Sequence, residues 1–440
     1  MWFIYDFEYV FKLKTMSVLD KAISYLKGLF ITERQKRNIE RINEQVRGNY
    51  QSHQHFITDS PWDAQGAMNI VAHKANKMLG SYEEQALLLD ESSTKKAGKH
   101  SVGVSRQHNG NMGKIENSQT GVYASLGRVD KVCLVNCKLF LPLEWIADKS
   151  RCQSAGIPPE EIVYKTKPQL ALELIKELDA EGIKYGWIGA DALYGASTEL
   201  RDQLDILGKS YVLDIHNDQH VFLENPEIYI PENKNNRGRK HSKFRFLQKS
   251  IEVRKYREIL SEKDYKSVEI RKGTKGIIKT NLHLQRIWTW NKKEAEAVEK
   301  TLIISVRSEG DIKYSISSFK IHEKTSEEFA FMQAQRHWIE RAFQDEKSDL
   351  GLTDYQIRKY NAWYHHQALV MMAMCYVLQL KLKYKNELPL LSTSDVRLQI
   401  ISVLKNKGAD LGIEIEQMLY RHIQRKNDIL RYYPENDYVT

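Results

Sequence analysis

The hydrophobic pattern of residues 82–215 constrains the fold more than any other feature of the sequence. Its first part predicts strands in succession, beginning with a buried-type strand at residues 86–92 whose apolar run ends at Asp90. Its second part alternates helix and strand, and one of these strands ends on Asp191. A strand meander followed by β-α-β alternation is typical of a mixed sheet with helices packed against it. The sequence therefore predicts an α/β domain.

Segments of different character interrupt and flank this pattern. Residues 216–324 contain strand-like runs punctuated by glycine, which indicates a β-rich insertion. Residues 1–15 show no helical period, whereas most of the N-terminal region after them and the C-terminal residues 389–440 read as helices. We therefore expect a mixed α/β sheet flanked by helices, interrupted by the insertion, with helical N- and C-terminal regions.

Positive charge is concentrated in the insertion. The chain has a net charge of +9, yet residues 234–286 hold 17 Lys and Arg against five Asp and Glu. That segment alone carries +12, so the remainder of the chain sums to −3. A basic block of this kind suits a polyanion such as nucleic acid, although a solvated basic loop is the alternative. The candidate DNA contacts in it are Arg237, Arg239, Lys240 and Lys243.

Two tryptophans of the insertion, Trp288 and Trp290, lie two residues apart in a strand-like run. Side chains two apart on a strand face the same side. One interpretation is packing in a core, and the other is stacking on the bases of unpaired DNA.

Cysteine content and hydropathy exclude several classes of protein. Four cysteines in 440 residues, without a CxxC pair, give neither a disulfide framework nor a zinc motif. The longest apolar run, residues 368–380, is too short to cross a bilayer. The first ten residues are interrupted by Asp6 and Glu8 and make a poor signal peptide. We expect a cytoplasmic protein without a membrane partner.

Residues 325–351 predict one long helix. Thr325 and Glu328 have capping-box spacing at its start, and a glycine follows its last turn. Steps of four and seven residues place Arg336, Glu340 and Lys347 on one face. The helix then presents one carboxylate between two cations. An exposed helix with salt-bridged side chains would show the same pattern.

Glu340 gains a possible role from the two aspartates at the strand ends. The carboxyl ends of strands in an α/β sheet open on one crevice, and a helix across that edge could bring Glu340 to Asp90 and Asp191. Three converging carboxylates repel one another unless cations bind between them. Hard oxygen ligands suit Mg²⁺ or Mn²⁺, and two such ions can activate a nucleophile and stabilise the leaving oxygen of a phosphodiester.

Three blocks of the sequence resemble a known family. They are LLLDESSTKKAGKHSVGVSRQHNGNMGKIENSQTGVY, WIGADALYG and RHWIERAFQDEKSDLGL. These blocks are similar to the catalytic blocks of bacterial insertion-sequence transposases of the DDE superfamily, in the cut-and-paste branch with a Tyr-x2-Arg-x3-Glu-x6-Lys signature. Arg336, Glu340 and Lys347 keep the spacing of that signature, whereas Gln333 occupies the position of its tyrosine.

The resemblance implies a ribonuclease H-like core in which Asp90, Asp191 and Glu340 are catalytic and bind two Mg²⁺ or Mn²⁺ ions. It also implies that Trp288 or Trp290 helps to hold a flipped base if a hairpin forms at the element end. Arg336 and Lys347 would bind phosphate. The partners would be double-stranded DNA (terminal inverted repeats and target DNA) and a second copy of the chain in a synaptic homodimer.

The resemblance also suggests domain boundaries. They are 1–80 for a helical DNA-end-binding region, 81–215 for the first part of the catalytic core, 216–324 for the insertion, 325–385 for the second part of the core, and 386–440 for a C-terminal helical region. The predicted function is metal-dependent cleavage at insertion-sequence ends and strand transfer into target DNA. The alternatives are a catalytically inactive DNA-binding derivative and a ribonuclease H-like nuclease without strand transfer.

Overall fold

The fold was analysed in a computed structural model, which describes residues 2–14, 16–109, 113–231, 241–273, 276–307, 310–405 and 411–434. Its α-helices are α1 (Leu19–Ile31), α2 (Ile39–Val46), α3 (Tyr50–Thr58), α4 (Ala64–Leu79), α5 (Leu143–Ala147), α6 (Lys149–Ser154), α7 (Lys167–Ala180), α8 (Ala192–Gly195), α9 (Thr198–Ile206), α10 (Val253–Ile259), α11 (Ser326–Gln335), α12 (His337–Asp345), α13 (Tyr360–Lys383), α14 (Thr393–Lys405) and α15 (Leu411–Tyr432).

The strands are β1 (Ala86–Lys95), β2 (Ser105–Asn109), β3 (Lys114–Arg128), β4 (Lys131–Leu139), β5 (Trp187–Ala190), β6 (Tyr211–Asp214), β7 (His220–Val221), β8 (Ile228–Tyr229), β9 (Arg245–Phe246), β10 (Ile251–Glu252), β11 (Lys266–Gly273), β12 (Gly276–Thr289), β13 (Val298–Val306) and β14 (Ile312–Ser317). Helices and a mixed sheet together confirm the predicted α/β class.

The chain divides into two compact units. The first comprises residues 1–85, 89–185 and 337–440, and the second comprises residues 86–88 and 186–336. Strand β1 thus begins in the second unit and continues in the first. The predicted domain boundaries are drawn differently, by function, and they stay predictions.

The first unit is built on a long central strand. β3 pairs antiparallel with β2 through its first half and with β4 through its second half, and β1 is its other neighbour. Helix α13 packs against β4 and α4 and is buried over most of its length, because its sequence is apolar on nearly every face. Within the described ranges, no helix combines the length and apolar character needed to cross a membrane.

The second unit contains a mixed sheet in the order β11-β12-β13-β14-β6-β5, followed by the first residues of β1. β5 and β6 are parallel, as a β-α-β connection requires, and the other pairs from β6 to β11 are antiparallel. The insertion is therefore β-rich, as predicted. Its strand β14 pairs directly with β6.

Several local predictions were wrong. Residues 2–11 form a 3₁₀-helix that buries Phe7 and Phe11, although no helical period was recognised there. Strand β2 begins only at Ser105, because Gly103 before it has a φ of 71° and forms a turn. Residues 325–351 are not one α-helix: α11 ends before Arg336, α12 follows it, and Glu346–Leu350 form a π-helical segment.

One basic residue of the N-terminal region, Arg37, belongs to the core. The Arg37 side chain is fully buried, and its Nε donates to the Leu29 carbonyl at 2.8 Å. Its Nη1 pairs with Asp354 at 3.2 Å, and that carboxylate is also buried. Arg37 therefore stabilises the core through a buried ion pair and does not face DNA.

Candidate active site

Asp90 lies inside β1 and not at its end. The strand continues to Lys95 because Ser93 and Thr120 of β3 form a buried hydrogen bond between their hydroxyls at 2.8 Å. The polar residues after Asp90 are thus satisfied by the neighbouring strand. Asp90 itself is half-buried, and its Oδ1 accepts a hydrogen bond from the Glu91 amide at 2.7 Å.

Glu91 is a carboxylate that the sequence analysis missed. Its Oε1 lies 2.8 Å from Nζ of Lys167, the first residue of α7. Lys167 is fixed because Thr166 caps that helix with a full capping box. Only Asp90 was selected from this strand, because the apolar run ends there. The available signal was the adjacency of two acidic residues after an apolar run.

Asp191 follows β5 in the second unit. Its Oδ1 accepts a hydrogen bond from the Leu193 amide at 3.0 Å, so Asp191 is the N-cap of α8. β5 lies tightly against the start of β1, since a Cβ added to Gly189 would lie 2.8 Å from Cδ2 of Leu88. Asp191 comes two residues after Gly189, and Asp90 comes two residues after Leu88. The two predicted aspartates therefore follow residues of adjacent strands.

Lys347 lies in the π-helical segment of the first unit. Burial lowers the pKa of the Lys347 ammonium, while the negative charge of Asp90 opposes that shift. Its Nζ lies 5.5 Å from the ring centre of Phe343. The signature lysine is thus close enough to Asp90 to sense its charge.

Glu346, the residue before Lys347, is a fully buried carboxyl group. Among the described residues neither of its oxygens has a hydrogen-bond partner. Burial raises the pKa of Glu346 well above its ordinary value, and the nearby Asp345 adds to the shift. Burial therefore favours the protonated form of this group over the carboxylate.

We expect Glu346 to make stability depend on pH. The folded chain keeps this proton to a higher pH than the unfolded chain, whose ordinary pKa is 4.5, so stability is lost as pH rises above that value. The slope from this single group is at most about 1.4 kcal/mol per pH unit. Glu346→Gln removes the titration, so its thermal midpoint should exceed that of the wild type by a margin that grows from pH 5 to pH 8. The exposed Glu44→Gln is the control, and identical pH profiles for E346Q and the wild type would contradict the assignment.

Glu340 is half-exposed on α12. Its side chain is 47% exposed, and its Oε2 lies 3.8 Å from Nδ1 of His337. The opposite face of α12 is buried through Ile339 and Phe343, and the Phe343 ring packs edge-on against Tyr123 with centres 5.3 Å apart. Glu340 is therefore carried on a helix that is anchored to the core of the first unit.

Arg336, the signature arginine, belongs to the second unit. Its Nε donates to Oδ2 of Asp214 at 2.9 Å, and both side chains are largely buried. Gln333 occupies the tyrosine position of the signature and is buried. Its amide donates to the Ser315 hydroxyl at 2.8 Å, which links it to the same group of side chains.

The predicted DNA-binding residues of the insertion are only partly described. Arg237, Arg239 and Lys240 lie outside the described residues, and Lys243 is exposed. The Arg286 guanidinium lies 5.0 Å from the ring centre of Trp288.

Trp290 lines a cleft of about 340 Å³ in the second unit, and its indole N–H donates to the Glu294 carbonyl at 2.8 Å. Both tryptophans are half-buried.

Comparison with known proteins identifies the class. The model of the DDE superfamily endonucleases matches residues 13–277, more than half of the chain, and the chain belongs to this superfamily. The matched range contains Asp90 and Asp191 and ends before Glu340. The recognition of the DDE superfamily from the three sequence blocks is therefore confirmed.

Two individual proteins are similar to the chain. One is a probable transposase for insertion sequence element IS701 from Microchaete diplosiphon, 25% identical over 347 residues, which are 77% of this chain and 77% of that protein. The other is a chain in the cryo-EM structure of a piggyBac transposase synaptic complex with hairpin DNA. It aligns with 99% of this chain and 78% of its own length at 10% identity. Its TM-score of 0.34 is too low to bear on the fold.

Proposed function

We propose that this DDE endonuclease is a DNA transposase that cleaves the ends of an insertion sequence and joins them to target DNA. The superfamily supports the cleavage chemistry, and the similarity to a probable insertion-sequence transposase supports the substrate. The observation that carries the proposal is the acidic group made of Asp90, Glu91 and Asp191, which could hold a metal ion.

The donor set fits a hard divalent cation. Three carboxylates offer only oxygen ligands, which Mg²⁺ and Mn²⁺ prefer over softer donors. We assign Asp90 and Asp191 as the main ligands of two such ions, with Glu91 beside them. When bound, the ions supply an activated water or 3′-hydroxyl and stabilise the leaving oxygen. Glu340 is not in the acidic group found among the described residues, and we retain it as the third ligand.

The cations of the signature would bind DNA. We assign Lys347 and Arg336 to phosphates of the scissile strand. Lys347 is partly desolvated and lies close to Asp90. Lys243 and the neighbouring Arg237, Arg239 and Lys240 would hold the duplex by charge.

Further partners and roles extend the proposal. Trp288 or Trp290 would stack on a base at the element end. The helical N-terminal region would recognise the terminal inverted repeats, and a homodimer would assemble on two ends in the cytoplasm.

The decisive experiment uses the purified full chain and a duplex that carries the inverted repeats flanking its gene. With Mg²⁺ we expect cleavage at the repeat boundary, and on pre-cleaved ends we expect joining of the 3′-hydroxyl to a target plasmid. EDTA and Ca²⁺ reactions are the controls. Binding without cleavage would favour an inactive DNA-binding derivative, and cleavage without joining would favour a nuclease.

A further inference from the structure

Asp214 is an acidic residue that neither the signature nor the metal group contains. It is the last residue of β6, the strand that lies parallel to β5. The register pairs Ala190 with Leu213, so the next residues along the two strands are Asp191 and Asp214. Asp214 therefore stands at the same edge of the sheet as a proposed metal ligand, one strand away.

Both carboxylate oxygens of Asp214 accept hydrogen bonds from side chains. Oδ2 accepts from Nε of Arg336 at 2.9 Å, and Oδ1 accepts from the Ser315 hydroxyl at 2.6 Å. Ser315 lies opposite Asp214 in the β14–β6 pairing and is fully buried. Two hydrogen bonds from different elements fix the orientation of this carboxylate.

Gln333 completes the arrangement one turn before Arg336. Its amide donates to the same Ser315 hydroxyl at 2.8 Å, and only 4% of the residue is exposed. Ser315 thus accepts from Gln333 and donates to Asp214, which leaves its single proton committed to the carboxylate. The glutamine that replaces the signature tyrosine has a specific role here: it orders the hydroxyl that orders Asp214.

This arrangement determines where the Arg336 guanidinium can lie. A guanidinium is planar, and a hydrogen bond through Nε to an oriented carboxylate restricts its rotation. The acidic group that could hold a metal ion, as found among the described residues, does not include Asp214. The carboxylate oxygens are already occupied by a cation and a hydroxyl, so a ligand role is disfavoured.

We propose that Asp214 is a positioning residue that holds the Arg336 guanidinium at the β5–β6 edge, beside Asp191, to receive a phosphate of the DNA end. Ser315 and Gln333 support Asp214 in this role. The inference rests on the proposed function for the identity of the anion. It does not require that the protein completes strand transfer.

The test is a double-mutant cycle between Asp214→Asn and Arg336→Ala in the full chain. We measure single-turnover cleavage of end DNA, its Mg²⁺ dependence, and DNA affinity without metal by fluorescence anisotropy. Asp214→Asn should slow cleavage about 10- to 100-fold at saturating DNA, because a misplaced contact loses much of its effect. The Mg²⁺ concentration for half-maximal rate should stay within about twofold. In the R336A background, D214N should cause no further loss.

A control variant separates positioning from stability. Asp205→Asn breaks an ion pair of the same unit, in which Oδ1 of Asp205 lies 2.6 Å from Nζ of the buried Lys300. It should lower the thermal midpoint without changing DNA affinity or the cleavage rate of folded protein. Asp214→Glu keeps the negative charge and should therefore cleave end DNA faster than D214N.

Each remaining outcome has a definite meaning. Multiplicative effects of D214N and R336A on cleavage and on DNA affinity would overturn the positioning role. A large shift in Mg²⁺ dependence for D214N would make Asp214 a metal ligand instead. If the wild type binds end DNA without cleaving it, the proposed function fails while the coupling in affinity still decides this inference. If the wild type does not bind DNA, both fail.

Discussion

Asp90→Asn and Asp191→Asn should each lower the rate of Mg²⁺-dependent cleavage of end DNA by about three orders of magnitude. Asparagine keeps the shape of the side chain and removes the negative charge that a divalent ion requires. At position 191 it also keeps the N-cap of α8, because asparagine caps helices as well as aspartate does. The loss should therefore appear in catalysis while the fold and DNA binding survive.

The measurement is single-turnover cleavage beside calorimetric titration with Mg²⁺, which should show weakened binding in both variants. Asp311→Asn, an exposed acid-to-amide change in the second unit, is the matched control and should behave as wild type. Glu340→Gln and Glu91→Gln are compared in the same assay to establish which is the third ligand. Near-native cleavage by D90N or D191N would remove that residue from the active site.

The largest effect on stability is expected for Arg37→Met, which should cost about 3–5 kcal/mol. Methionine fills a similar length but leaves the buried Asp354 without its cation and the Leu29 carbonyl without its donor. Burial already raises the pKa of Asp354 in spite of Arg37, so the carboxylate alone is strongly disfavoured. The loss is read as a lower thermal midpoint and a smaller soluble fraction.

Two further variants show whether the loss of stability in R37M comes from the unpaired carboxylate of Asp354. Adding Asp354→Leu to R37M removes the unpaired carboxylate and should recover much of the loss. Arg41→Met breaks the exposed pair with Glu44, whose side chains are about half exposed, and should leave the midpoint unchanged. Equal destabilisation by R37M and R41M would show that burial of the ion pair does not matter.

The α/β class was predictable because its signals are local. Apolar runs ending at acidic residues, a capping box before α11 and helical periodicity each depend on a few neighbouring residues. The three sequence blocks that resemble the superfamily are equally local, so it was recognised from them, and the family match over residues 13–277 confirms it. Within the candidate site, Asp90 and Asp191 were found because each ends an apolar run.

Features that depend on long-range contacts could not be predicted. Arg37 resembles a surface arginine in sequence, and only its pairing with Asp354, more than 300 residues away, shows that it is buried. Asp214 gains its role from Arg336 and Ser315, each about 100 residues distant. The π-helical turn after α12 inserts a residue that periodicity does not reveal, so Glu346 was not recognised as a core residue.

The ties between the N-terminal helices and the end of the signature region bear on how this protein could be engineered. Arg34 pairs with Asp349 at 2.7 Å, Arg37 reaches the Ser348 carbonyl, and the Tyr25 hydroxyl lies 3.0 Å from His366. Residues 1–80 are therefore not an independent module. A chimaera that replaces this segment with that of a relative would also need matching residues at positions 345–366.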